Sequence, residues 1–114
     1  MRKGDDLRER AFRFACDVVA LSDATARHRN GARDLMRQLV RAGTSIGANL
    51  EEADAAQSKP DFVSKCTISL KEAREAHYWL RILKATGKAE ADRLLGEANE
   101  LIAILTTIVR KAST

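Results

Sequence analysis

The chain has 114 residues, of which 45% are apolar, 32% charged and 4% aromatic, and its net charge is +4. A chain of this length forms one domain with a buried core, and the mixture is too apolar for a disordered chain and too charged for a membrane-spanning one. The basic excess permits contact with nucleic acid or an anionic surface but does not require it.

The first predicted helix spans residues 6–29. Asp6 lies three residues before Glu9, which is the arrangement of a capping box. Gly31, after Asn30, is a typical helix stop. Between these signals, apolar residues recur at spacings of three and four: Leu7, Ala11, Phe14, Val18 and Leu21. This stripe predicts one buried helix face.

The second predicted helix, residues 32–57, carries two neighbouring apolar stripes. Gly43 and Gly47 lie inside it, and each costs a helix about 1 kcal/mol relative to alanine. Their spacing of four indicates either the close approach of another backbone or a local kink.

The third and fourth predicted helices span residues 59–85 and 89–110. Ser58 is the expected N-cap of the third helix, with Pro60 in its first turn, and Gly87 is the expected residue after its C-cap. Four helices of similar length with short connections predict an all-α fold: an antiparallel up-down-up-down four-helix bundle, with residues 1–114 as a single domain.

The third helix has more apolar surface than one buried stripe needs. Ile68, Trp79 and Ile82 lie on a second face, interleaved with Glu72 and Glu75. An exposed apolar patch of this kind favours a contact between copies, so we predict a homo-oligomer with these five residues at the interface. The alternative is that they widen the intramolecular core.

The second helix also carries a basic ridge. Arg33, Arg37 and Arg41 are four residues apart, and Arg27 and Arg29 precede them. Repeated around an oligomer, the ridge would bind phosphates of RNA or DNA, although for one subunit an ordinary solvated face is the alternative. No aromatic residue accompanies it, so base stacking on this ridge is not expected.

Polar residues on the apolar seam of the second helix form a further candidate site. Asn49 lies in the seam, Glu52 follows one turn later, and Ser45 is a nearby donor. We predict a buried polar network that fixes helix register or subunit contact. A ligand site is the alternative interpretation.

Nothing in the sequence predicts catalysis. His28 and His77 lack the Glu-x-x-His spacing of bundle metal centres, and Cys66 is three turns from His77 on one helix. We therefore expect no enzyme activity, no metal and no cofactor. The two cysteines are isolated and the first ten residues lack the apolar core of a signal peptide, so we expect a cytoplasmic protein that does not contact membranes.

Two segments resemble a known family. Within 41–52, the pattern Ser-Ile-x-x-Asn-hydrophobic-x-Glu is matched by Ser45, Ile46, Asn49, Leu50 and Glu52. This pattern, together with the segment 58–80, is similar to the four-helix-bundle proteins encoded in intervening sequences of 23S ribosomal RNA. Members of that family often have proline where this chain has Gly47 and glycine where it has Ala53.

The resemblance implies a four-helix bundle that assembles as a ring-like homopentamer without enzyme activity. A more distant bundle relative, the accessory protein of diversity-generating retroelements, is a basic pentamer associated with nucleic acid and a reverse transcriptase. By this analogy of fold, our leading hypothesis is a homo-oligomer that binds RNA or DNA weakly through basic helix faces. The alternative is a protein-interaction scaffold with no nucleic-acid role.

Overall fold

The computed structural model describes residues 5–25 and 31–114, and its elements are four α-helices. They are α1 (Asp5–Thr25), α2 (Ala32–Asp54), α3 (Lys59–Ala85) and α4 (Asp92–Ser113). Each helix packs against the next along the chain, and α4 returns to touch α1 more sparsely. The described part of the chain contains no strand, and the predicted all-α bundle is confirmed.

The core is built from one stripe of each helix, because residues three and four apart share a helix face. Its largest fully buried apolar side chains are Phe14, Val18, Leu39, Ile46, Leu80, Leu83, Leu101 and Leu105. Alanines such as Ala42, Ala73 and Ala98 are also completely buried, which allows the helices to pack closely. The predicted stripes therefore provide the interior.

The two glycines inside α2 lie where α1 comes close. A Cβ atom at Gly43 would lie 3.2 Å from both γ-methyl carbons of Val18, and one at Gly47 would lie 3.6 Å from the backbone carbonyl carbon of Ala11. Of the two interpretations of this glycine pair, the close approach of a neighbouring backbone is the one observed.

Both ends of α3 follow local sequence signals. Ser58 has an extended backbone, and its side-chain oxygen accepts a hydrogen bond from the backbone N–H of Asp61 at 3.2 Å. At the other end, Gly87 has a φ of 68°. The backbone N–H of Lys88 donates to the carbonyl of Leu83 at 2.9 Å and that of Gly87 to Lys84 at 3.1 Å, which is a Schellman motif.

Four other boundaries differ from the predicted ones. α1 begins at Asp5, one residue before its predicted start, and its predicted end at residue 29 lies outside the described residues. α2 ends at Asp54 rather than 57, since Ala55 and Ala56 form i to i−3 bonds that tighten the chain before Ser58 caps α3. α4 runs from Asp92 to Ser113 rather than from 89 to 110.

Candidate functional site

A group of charged and aromatic side chains crosses the seam between α2 and α3. Arg41 Nη1 donates to Glu72 Oε2 at 2.9 Å, and its Nη2 donates to Glu75. The indole N–H of Trp79 donates to the same carboxylate of Glu75 at 3.2 Å. We call these four residues the seam cluster; they tie α2 to α3.

The seam cluster contains residues that the sequence assigned to two different surfaces. Arg41 was expected in the basic ridge, but its guanidinium is held by two carboxylates, so it adds no net positive charge to a phosphate-binding surface. Glu72, Glu75 and Trp79 were expected at an interface between copies. Within one chain, Trp79 also packs against the core, so part of that predicted patch has an intramolecular partner.

The rest of the predicted interface remains open in the single chain. Ile68 is 39% exposed, and Ile82 is half-buried at the end of the same flank. The contact between copies that these residues were expected to make stays a prediction.

The basic ridge of α2 is shorter than its sequence indicates. Arg33 is exposed, and Arg37 Nη2 lies 3.6 Å from Asp34 Oδ1, a loose pair between two exposed side chains. Arg27 and Arg29 lie outside the described residues. Without Arg41, the described part of the ridge therefore contains two exposed arginines.

The face of α3 that points away from the core carries a second basic group, which the sequence analysis missed. Lys71, Arg74, Tyr78 and Arg81 are all exposed and follow each other at spacings of three and four. We call these four residues the outward face of α3. None of its three cations forms an ion pair with another described residue.

The charges of α3 are separated onto two sides of one helix. Its acidic residues are Asp61 in the first turn and Glu72 and Glu75 in the middle. Arg41 holds the middle pair against α2, and the cations of the outward face form no ion pair with a described carboxylate.

An aromatic ring lies in the middle of the outward face. Tyr78 is 53% exposed, and its ring meets that of Trp79 edge to face, with 5.5 Å between centroids and 62° between planes. The signal for this face was available in the sequence: positions 71, 74, 78 and 81 lie opposite the core positions 73, 76, 80 and 83 on a helix of 3.6 residues per turn.

Within the single chain, Ser45, Asn49 and Glu52 do not form the predicted buried polar network, and a role in subunit contact stays a prediction. Ser45 and Asn49 are half-buried and donate to backbone carbonyls of their own helix, those of Arg41 and Ser45, at 2.7 and 2.8 Å. Glu52 is exposed and pairs with Lys65 Nζ at 3.2 Å. These three residues lie on the flank of α2 beside the stripe of Ile46, Leu50 and Ala53, so their side chains reach the surface.

The buried polar contact between α2 and α3 is made by another residue. Ser69 is fully buried, and its hydroxyl donates to the backbone carbonyl of Ile46 at 2.9 Å. Serine is compatible with a buried helix face when its hydroxyl finds a backbone acceptor. This contact was not predicted from the sequence.

A cleft of about 490 Å³ opens between α1 and α4 at the end of the bundle where α3 begins. Its walls are mainly apolar and include Leu7, Phe62 and Cys66, whose thiol has a raised pKa because it is buried. Arg8 and Arg10 stand at its rim.

Carboxylates already neutralise the two rim arginines. Arg8 lies 3.2 Å from Glu51 and 3.3 Å from Asp54, while Arg10 forms a bidentate pair with Glu97 at 3.0 and 3.1 Å and a further bond to Glu100. The hydrogen bonds from Arg10 to Glu100 and Glu97 raise the pKa of this guanidinium. The cleft therefore offers mainly apolar surface, and these two arginines supply no unmatched positive charge to fix an anionic ligand.

An apolar line on α1 was also missed. Phe12 is 61% exposed and Val19 is 40% exposed, two helical turns apart, with the exposed thiol of Cys16 between them. The excess apolar surface predicted from the sequence was placed on α3 and not on this side of α1.

Metal-binding groups and membrane-spanning helices are both absent from residues 5–25 and 31–114. No three His, Cys, Asp or Glu side chains in those ranges are grouped as a metal site would require. None of the helices described there is both long and apolar enough to cross a membrane.

Comparisons with known proteins agree with one another. A solved structure of a protein of unknown function from the S23 ribosomal protein family of Bacteroides thetaiotaomicron is 31% identical; the match covers 96% of this chain and 99% of that one, with a TM-score of 0.86. No curated protein matched. The family model described as 23S rRNA-intervening sequence protein matches residues 5–107. The chain therefore belongs to the family of 23S rRNA-intervening sequence proteins.

Proposed function

We propose that this chain is a non-enzymatic, homo-oligomeric bundle that binds RNA or DNA weakly through basic helix faces. The outward face of α3 is the principal contact, and Arg33 and Arg37 of α2 supply a second, weaker one. Arg27 and Arg29 keep the role predicted from the sequence. We expect the protein to act in the cytoplasm.

The separation of charge on α3 carries this proposal. Lys71, Arg74 and Arg81 project into solvent without a carboxylate partner in the described chain, while Glu72 and Glu75 are held by Arg41. Unpaired cations release condensed counterions when they bind phosphates, and this release drives most sequence-independent binding. An ordinary solvated helix face would mix acids and bases along its length.

Assembly of several copies would raise the affinity of this small surface for nucleic acid. Three cations on one chain support weak binding, but several copies joined in a ring, as the family resemblance implies, would hold one strand at several points at once. Ile68, exposed beside the seam cluster, supports a contact between copies on this flank of α3.

A protein-interaction scaffold is the second candidate, and the apolar line of α1 favours it. Phe12 and Val19 expose apolar surface that no described element covers. Exposed aromatic and β-branched side chains on one helix face suit a contact with another polypeptide.

A salt titration of binding separates these candidates. With labelled RNA and DNA strands, the logarithm of the association constant should fall linearly with that of salt concentration, at about −0.7 per contacted phosphate on a single strand. The triple substitution Lys71→Gln, Arg74→Gln and Arg81→Gln should weaken binding and make this slope shallower by about 2.

The matched control removes the same charge at the opposite end of the bundle. Lys59, Arg110 and Lys111 are exposed there, and their triple replacement by glutamine should leave most of the binding intact. Equal losses from the two triple variants would show that net charge rather than the α3 face matters. If wild-type protein does not bind nucleic acid at low salt, the proposal is wrong and the scaffold candidate takes its place.

A further inference from the structure

We infer that the outward face of α3 selects single-stranded nucleic acid, with the ring of Tyr78 stacking on an unpaired base between phosphates held by Lys71, Arg74 and Arg81. This inference rests on the proposed function and adds to it the form of nucleic acid that is bound and the residue that distinguishes it.

The ring of Tyr78 is both exposed and held in place. Half of its surface is open to solvent, while one side meets the edge of Trp79. Trp79 is in turn fixed by its hydrogen bond to Glu75, whose carboxylate is bound by Arg41. A ring supported in this way loses little conformational freedom when a base stacks on it, so the stacking energy is retained as affinity.

Cations flank the ring along the helix axis. Arg74 lies one turn before Tyr78, Arg81 about one turn after it, and Lys71 two turns before it. At 1.5 Å per residue, the row from Lys71 to Arg81 is about 15 Å long. A strand lying along this row would place one base over the ring while its backbone passes cations on both sides.

This arrangement suits a single strand better than a duplex. The bases of a duplex are stacked on one another, so a convex helix face can reach its phosphates but cannot stack an aromatic ring on a base. Every unpaired base offers a π-face, which makes stacking on tyrosine tolerant of sequence and independent of the sugar. RNA and DNA strands should therefore both bind.

The same chemistry argues against a protein partner on this face. A protein partner would need a matching cluster of carboxylates to pair with three cations of the same sign, whereas a nucleic-acid strand carries a phosphate at every nucleotide. The apolar line of α1, with Phe12 and Val19, has the opposite character. The two surfaces therefore fit different classes of partner.

The test compares four polyanions by fluorescence anisotropy: a labelled 20-nucleotide oligouridylate, the matching oligothymidylate, a duplex of equal length, and heparin, which has no bases. Wild-type protein should bind both single strands more tightly than the duplex. Tyr78→Leu, which removes the π-face, should weaken binding of the single strands about tenfold, while Tyr78→Phe should bind like wild type. Heparin binding should be the same for all three proteins.

The fluorescence of the single tryptophan provides an independent measurement of base stacking. Trp79 is the only tryptophan in the chain and touches the ring of Tyr78, so a base stacked there should change its fluorescence. Saturating oligouridylate should quench Trp79 in wild type and in Tyr78→Phe, and heparin should not. In Tyr78→Leu the quenching should be lost even at saturation.

The outcomes distinguish this inference from the proposed function. Equal binding of single strands and duplex, or unchanged oligouridylate binding by Tyr78→Leu, overturns the stacking inference while the charge-based function stands. Absence of binding to every nucleic acid overturns both. Binding to vesicles containing phosphatidylserine that depends on Tyr78, with no binding to oligouridylate, would assign the face to a membrane surface and overturn the inference. Thermal midpoints close to that of wild type establish that each variant is folded.

Discussion

The two sides of α3 have opposite properties, although their residues lie less than one helical turn apart in the sequence. On the side that faces α2, Arg41 binds both Glu72 and Glu75, and the indole N–H of Trp79 donates to Glu75. On the outward side, three cations and Tyr78 project into solvent. In the linear sequence these residues alternate, and the segment looks electrically mixed. Because each residue of a helix is rotated by 100° from the one before it, these residues fall on two sides. On one side the charges are paired with each other, and on the other the cations are not paired.

Substitutions of the adjacent aromatic residues Trp79 and Tyr78 should give the largest difference in stability between the two sides. Trp79→Ala removes a half-buried indole that packs against the core, and we expect it to lower the free energy of unfolding by about 2 kcal/mol. Tyr78→Ala removes an exposed ring, and we expect a change within about 0.5 kcal/mol. Urea denaturation measures both. Similar losses for the two variants would mean that the two sides of α3 are not distinct.

Substitution of Arg41 should have an effect of intermediate size on stability. Arg41→Ala leaves Glu72 and Glu75 without their shared partner, and we expect a loss of about 1 kcal/mol, since all three side chains are partly solvated. It should also weaken nucleic-acid binding, because it places uncompensated negative charge beside the outward face.

Arg74→Ala is the matched control for Arg41→Ala. It should weaken binding without changing the urea midpoint, because Arg74 has no ion-pair partner in the described chain. If Arg41→Ala strengthened nucleic-acid binding, the seam cluster could not be the reason why the outward face is cationic.

A substitution at Ile68, at the border between the two sides, should have the smallest effect on stability. Ile68→Lys places a charge at a position that is already 39% exposed, so the unfolding free energy should change by no more than about 0.5 kcal/mol. If this flank joins copies of the chain, the mass measured by light scattering should fall. Phe12→Lys, on the exposed line of α1, is the matched control; a fall in mass with that variant alone would move the contact to α1.

The fold could be predicted because its signals are local. Helical spacing located all four segments, and Ser58 and Gly87 marked the ends of α3 through their own backbone preferences. The end of α2 was placed too late because Ala55 and Ala56 are good helix formers. What stops the helix is the extended conformation that Ser58 needs to cap the next one. The start of α4 was placed too early for a similar reason, since the turn at Gly87 and Lys88 precedes residues that favour helix.

The candidate site was harder to predict because it depends on how helices pair. Arg41 reaches Glu72 and Glu75, which are 31 and 34 residues away, only because α2 and α3 are antiparallel in a particular register. Nothing local to Arg41 distinguishes it from Arg37, so both were assigned to one ridge. The outward face could have been predicted from spacing alone, because positions 71, 74, 78 and 81 lie opposite the core positions of α3.

The close approach of α1 and α2 limits how this chain can change during evolution. A methyl group at position 43 would press on both γ-carbons of Val18, and a β-branched side chain in a helix has almost no alternative rotamer into which to move. Alanine at 43 would therefore require Val18 to shift by a few tenths of an ångström or to be replaced by a smaller residue, so the two positions should vary together among homologues. In an alignment of homologues, this pair should stand out as a correlated substitution.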